Sequence, residues 1–98
     1  MLQIENYPRL IFPDGFNDRD IYESNLKGWI CVSVEIEKDK ILPMYFTDMI
    51  RLQQDFESAI EEGQPCFTEE RLIIISEITI ENIKKSVDFL FNKGFLKI

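Results

Sequence analysis

One stretch constrains the fold of this chain more than any other. Across residues 28–37, GWICVSVEIE, Ile30, Val32, Val34 and Ile36 alternate with Cys31, Ser33, Glu35 and Glu37. A period of two, with β-branched residues on one side, specifies a strand with one buried face. Lys38-Asp39-Lys40 is short and polar, and residues 41–46 return with Leu42, Met44 and Phe46 on one face. The two runs read as a β-hairpin. Pro43 offers no N–H to a ladder, so the second strand has an exposed edge at that point. An apolar hairpin face of this kind must be covered by another element.

The period then changes. Met49, Leu52, Phe56, Ala59 and Ile60 recur at intervals of three and four, one face of a helix. Thr47 or Asp48 caps its start, and Gly63 followed by Pro65 ends it. Asp55, Ser58, Glu61 and Glu62 face outward. Residues 71–76, RLIIIS, are too short for a buried helix and read as a central strand. On this reading Leu72 and Ile74 join Ile30, Val32 and Val34 in the core. Thr79 caps a second helix over 80–92, with Ile80, Ile83, Val87 and Leu90 as its buried stripe. Lys93 and Gly94 suit its end. Residues 95–98 form a tail that reads as either irregular or a last short strand.

The N-terminal third is less regular. Residues 7–12 read as a short strand, pushed to an edge by Pro8. Pro13-Asp14-Gly15 is a turn signal. Residues 17–23 are polar, and a second turn is expected near Ser24-Asn25. The expectation is one domain over 1–98, with an irregular segment at 1–27 and a hairpin–helix–strand–helix core at 28–98. The fold class is α+β: a mixed, mostly antiparallel sheet of three to five strands with two helices packed on it, in two layers. The strand at 41–46, the first helix and the strand at 71–76 would form a right-handed parallel crossover.

Composition bounds the function. The 98 residues carry 18 acids and 11 bases, a net charge of −7, and no histidine. No Ser-His-Asp or Cys-His catalytic pair can be built, nor a His-ligated zinc site. With 45% hydrophobic residues and eight Phe, the chain has the apolar material for one core. The N-terminal MLQIENYPRLIF lacks the pattern of a signal peptide, and no stretch is long and apolar enough to cross a bilayer. Cys31 and Cys66 are not in a CxxC pair; they read as reduced, buried structural thiols. These features place the protein in the cytoplasm. Its acidity argues against nucleic acid and anionic membranes as partners, since both are polyanions.

Four groups of residues are candidates for function. Asp14, Asn17, Asp18, Asp20 and Glu23 cluster oxygen atoms, but without the spacing of an EF-hand calcium loop, and read as a solvated turn. Glu35 and Glu37 share a strand face but sit among Lys38, Asp39 and Lys40, which is ordinary solvent-face patterning. No catalytic residue, cofactor or metal follows from either group. Trp29, with Cys31 and Ser33, lies opposite the apolar hairpin face; it is either an exposed binding hot spot or covered by a neighbouring element. The most informative feature is charge. Residues 47–70 hold seven acids (Asp48, Asp55, Glu57, Glu61, Glu62, Glu69, Glu70) and one base, Arg51. Such a surface speeds association with a basic partner or simply solvates a helix face. The partner-binding residues expected from it are Asp55, Glu61, Glu62, Glu69 and Glu70, with Trp29 and Tyr45 on the hairpin as a second contact.

The run GWICVSVEI, then PMYFTDMIRL leading into an acidic helix, then RLIIISEITIENIKKSVDFLFNKGF with its closing Gly94-Phe95 pair, together resemble the small bacterial immunity proteins of polymorphic and contact-dependent toxin systems. The resemblance covers about the last two-thirds of the chain and carries no catalytic motif. It implies a non-catalytic protein that binds and blocks a cognate toxin domain, often a nuclease with a basic active site. The alternative is a structural or adaptor protein that self-associates, as a homodimer, through the Pro-interrupted hairpin edge or exposed aromatics.

Overall fold

A computed structural model describes residues 7–96. Among them the chain runs β1 (Arg9–Ile11), α1 (Asp18–Lys27), β2 (Trp29–Glu37), β3 (Lys40–Thr47), α2 (Met49–Glu61), β4 (Leu72–Ile74) and α3 (Ile80–Asn92). The sheet order is β1-β2-β3-β4, with β1, β2 and β3 antiparallel in turn and β4 parallel to β3. This is the expected α+β arrangement with a mixed sheet. Residues 1–6 of the irregular N-terminal segment, and residues 97–98 of the tail, lie outside the described residues; the tail's residues 95–96 are not in a strand.

The β2–β3 hairpin sets the frame. Glu37 pairs with Lys40 across the turn, and their side chains form an ion pair at 2.5 Å. Asp39 takes a φ of +62°, a conformation its short polar side chain tolerates. Ile30 faces Phe46, Val32 faces Met44 and Val34 faces Leu42, and all six are buried. The open edge expected at Pro43 is present, because β4 joins β3 only at Tyr45, Phe46 and Thr47.

Several expectations are corrected. Residues 71–76 lie at the outer edge of the sheet, paired on one side only. Leu72 and Ile74 sit opposite Tyr45 and Thr47, so they share the face away from the core, and Ile74 is half exposed. Ile73 and Ile75 pack with the core in their place. The continuous isoleucine run hid this alternation, since every residue in it is apolar.

The segment at 17–27 is a helix. Asn17 accepts hydrogen bonds from the N–H groups of Arg19 and Asp20, and Asp20 accepts one from the Asn17 N–H, a reciprocal cap. Gly28, with a φ of +82°, ends the helix through its N–H to the Ser24 carbonyl. Of the polar residues grouped as a loop cluster, Asn17 caps the helix, Asp18 and Asp20 lie in its first turn, Glu23 lies further along it, ion-paired to Arg19, and Asp14 alone stays in the preceding turn. Asn25, expected in a turn, instead accepts a hydrogen bond from the Ile78 N–H and ties α1 to the approach of α3.

The two predicted helices meet the sheet on opposite faces, so the two layers expected are three: α3 covers the aliphatic face of the hairpin and α2 the face of Trp29 and Tyr45. Ile83 and Val87 of α3 are buried with Ile30, Val32, Val34, Met44 and Phe46, and Leu90 packs against them, whereas Ile80, expected in the same stripe, is 38% exposed at the first turn of the helix. α2 reaches the other face, where Tyr45 bonds to Asp55. Finally, both cysteines are exposed. Cys31 lies on the face opposite the core, opposite Tyr45, and Cys66 lies in the connection after α2.

Candidate partner-binding face

α2 begins at a tightly packed corner. The Asp48 carboxylate accepts the Arg51 N–H at 2.8 Å, so Asp48, rather than Thr47, is the cap. The Asp48 N–H in turn donates to the Gly28 carbonyl at 2.9 Å. A Cβ at Gly28 would stand 2.8 Å from the Arg51 Cβ and 2.9 Å from the Asp48 carboxylate. The absence of that carbon lets α2 start directly against β2.

From this corner the helix passes over Trp29 and Tyr45. The two rings stack at 5.5 Å, and the Arg51 guanidinium lies 5.9 Å from the Trp29 ring. Arg51 Nε donates to both Asp55 oxygens, at 3.0 and 3.2 Å. The Tyr45 hydroxyl donates to Asp55 Oδ2 at 3.5 Å. Burial, and then the negative charge of Asp55, raise the Tyr45 pKa above its ordinary value; Glu69 adds to this and Arg51 opposes it.

The sheet-facing side of α2 is therefore not its apolar stripe. Of the expected inward residues only Ala59 is buried, with Leu52 half-buried. Met49 is 63% exposed, Phe56 49% and Ile60 45%. Ile50, one position round the helix, is 73% exposed. The reason lies in the surface beneath: the aromatic pair is capped by the Arg51–Asp55 ion pair, which rotates the stripe away from the sheet.

The seven expected partner residues divide accordingly. Trp29, Tyr45 and Asp55 come together, within reach of the Glu69 charge, but as one internal cluster. Trp29 is half-buried, stacked on Tyr45 and partly covered by Arg51 of α2. Glu70 is ion-paired to Arg71 at 2.8 Å. Glu61, Glu62 and Glu69 are exposed, and with Glu57 they have no ion-pair partner among the described residues. Glu57 accepts a hydrogen bond from the neutral Gln53 amide, which leaves its charge uncompensated. The carboxylates considered as an acid–base pair are each held by a base: buried Glu35 by Arg9 at 2.6 Å, and Glu37 by Lys40.

Reading the residues alone missed Arg51 and the exposed apolar row. Arg51 was legible through its i,i+4 spacing from Asp55. The row was not, because an apolar stripe looks the same in sequence whether it is covered or open. Among the described residues no helix is long and apolar enough to cross a membrane. Comparison with protein-family models, curated proteins and solved structures gives no match.

Proposed function

We propose that this chain is a non-catalytic binding protein of the immunity type, which neutralises a basic toxin domain in the cytoplasm by docking it on α2. One observation carries the reading: α2 sets an open apolar row, Met49, Phe56 and Ile60, beside glutamates that no cation within the described chain neutralises. An apolar centre supplies affinity, and uncompensated charge around it speeds encounter with a partner of opposite sign. Glu57, Glu61 and Glu62 form the charged border. Asp55 is removed from it, because Arg51 already holds its carboxylate.

The test is binding to the purified product of the gene adjacent to this one. Calorimetry at two salt concentrations is expected to give a tight complex weakened by salt. Absence of binding, or a complex that strengthens with salt, overturns the reading.

A further inference from the structure

The β4 edge of the sheet is open at three levels: its backbone, the layer above it and the layer below it. The Tyr45 N–H donates to the Arg71 carbonyl at 3.1 Å, and the Ile75 N–H to the Thr47 carbonyl at 2.9 Å. Backbone polar groups alternate in direction along a strand. Arg71, Ile73 and Ile75 therefore turn theirs to β3, and Leu72 and Ile74 turn theirs outward. No strand lies on that side among the described residues. Below the edge, on the core face, a cavity of about 330 Å³ opens between β4 and α3, lined by Ile73, Ile74, Lys85, Ser86, Phe89 and Leu90. Phe89 is 56% exposed and Ile74 49%. Above the edge stands the apolar row of α2. Met49, Phe56 and Ile60 lie about 140–180° round the helix from Arg51, whose guanidinium reaches Trp29 on β2. The row therefore faces away from β2, to the β4 side of the sheet.

We propose that β4 pairs antiparallel with β4 of a second copy, about a two-fold axis at Ile73, so that the two sheets become one. In this register Leu72 of each copy stands opposite Ile74 of the other. Both residues turn their backbone groups outward, so each opposed pair closes two hydrogen bonds and no outward N–H or C=O of β4 is left open. A strand paired antiparallel with itself about its central residue is two-fold by construction, and the contact closes. The occupant is a second copy because this one operation covers the edge and both flanks together. It turns the side of α2 that carries Met49 and Phe56 to its equivalent above the sheet, and Phe89 to its equivalent below. Met49, Phe56, Ile74 and Phe89 each bring about 100 Å² of open apolar surface. With the backbone edge and the half-buried Leu72, Ile73 and Leu90, the total over two copies passes the roughly 1,000 Å² that a specific interface needs. Charge stays out of the contact. Glu57 and Glu61 lie about 80–120° round α2 from Met49, in the direction away from buried Ala59. Lys85 keeps its ion pair with Glu81 at 2.8 Å, and Arg71 its pair with Glu70. The inference stands on the sheet edge and not on the toxin reading; a basic partner seated on Met49 and Phe56 competes with the second copy.

The experiment is sedimentation velocity on the full chain, from low micromolar to millimolar concentration, at low and high salt. The expected result is a reversible dimer that salt does not weaken, since no ion pair crosses the contact and the charge of −7 on each copy is screened. Ile74→Pro removes an outward N–H from each copy without touching a bond to β3, and Ile74→Lys places a charge on the same edge. Phe89→Asp does so on the lower flank. Each is expected to weaken dimerisation about tenfold or more, with circular dichroism confirming the fold. Cross-linking reads the register. In chains with Cys31→Ser and Cys66→Ser, Leu72→Cys and Ile74→Cys are expected to form a disulfide dimer when mixed and not alone, because opposed residues of such a pair lie about 5.5 Å apart at Cα. A wild-type chain that stays monomeric throughout overturns the proposal and leaves the edge to a strand of another protein. So does a dimer that survives the edge and flank variants, or one in which the mixed cysteines do not cross-link. Loss of binding to the adjacent gene product would count against the toxin reading alone.

Discussion

Gly28 serves three purposes with no side chain: it ends α1, starts β2 and receives the first turn of α2. Its φ of +82° costs any other residue about 1 kcal/mol or more. The contacts at 2.8 and 2.9 Å add overlap with a backbone-proximal carbon and a capping carboxylate, neither of which is a flexible side-chain end. Gly28→Ala is therefore expected to cost about 2–3 kcal/mol, and Gly15→Ala, where φ is also positive but nothing lies within 4 Å, only about 1 kcal/mol. Urea denaturation of the two variants checks this, and equal losses would mean that α2 is not seated on Gly28. Tyr45 gives a second test. Its pKa is raised above 10.0, first by burial and then by Asp55, so the folded state favours the neutral phenol. That contribution to stability is fully present below the ordinary value and is lost as pH rises through the raised one. Removing the Asp55 charge removes one raising cause and leaves Arg51 nearby, which lowers the value. Asp55→Asn is expected to shift the Tyr45 transition downward in a phenolate absorbance titration, with Tyr45→Phe identifying the band. An unchanged transition would mean that the 3.5 Å contact does not form in solution.

Elements differed in how openly the sequence declared them. The hairpin and α3 were legible because periodicity and boundary signals agreed: alternation closed by a polar turn, and a 3.6-residue stripe between Thr79 and Gly94. Thr79 accepts the Asn82 N–H at 3.1 Å, and Thr79→Ala is expected to cost about 1 kcal/mol in thermal unfolding. α1 was hidden because its apolar residues make no buried stripe: Ile21 packs on the core, while Tyr22 and Leu26 are exposed. Its evidence was at its ends, in Asn17, Asp20 and Gly28. β4 was visible as a strand, but its facing was not, because a run of like residues carries no phase. Val32, 2% exposed, is expected to lose about 1–2 kcal/mol on truncation to Ala, whereas Ile74→Ala, measured at low micromolar concentration, is expected to lose less than about 1 kcal/mol. The reverse order in chemical denaturation would restore the core register first expected for Leu72 and Ile74. The candidate site was legible to the same degree. Hairpin register alone places Trp29 and Tyr45 on one face, and i,i+4 spacing alone pairs Arg51 with Asp55. Which side of α2 meets that face depends on how an ion pair caps two aromatic rings, and no local pattern encodes that.

At the scale of the whole molecule, charge separates into two classes that the sequence count merged. Asp55, Glu35, Glu37 and Glu70 are held by Arg51, Arg9, Lys40 and Arg71. Glu57, Glu61, Glu62 and Glu69 are not held by any cation among the described residues, so their field extends into solvent. Charges of the first class act on the fold, and those of the second act on encounter. Reversing Glu61 and Glu62 together to Lys is therefore expected to change folding stability by no more than about 0.5 kcal/mol per site. It is expected to slow capture of a basic partner, the adjacent gene product, by about tenfold at low salt. Raising the salt should shrink the gap, because screening removes the advantage of the wild type while leaving the apolar contact of Met49, Phe56 and Ile60 intact. Asp55→Asn should do the opposite: its effect falls on stability and on the Tyr45 titration, with little change in association rate, since its charge is already spent on Arg51. Stopped-flow association of the two variants separates these classes. If the Glu61/Glu62 reversal binds at the wild-type rate in low salt, or if Asp55→Asn slows capture as much, steering does not come from the free glutamates. The partner would then be meeting the molecule at the Trp29–Tyr45 corner itself.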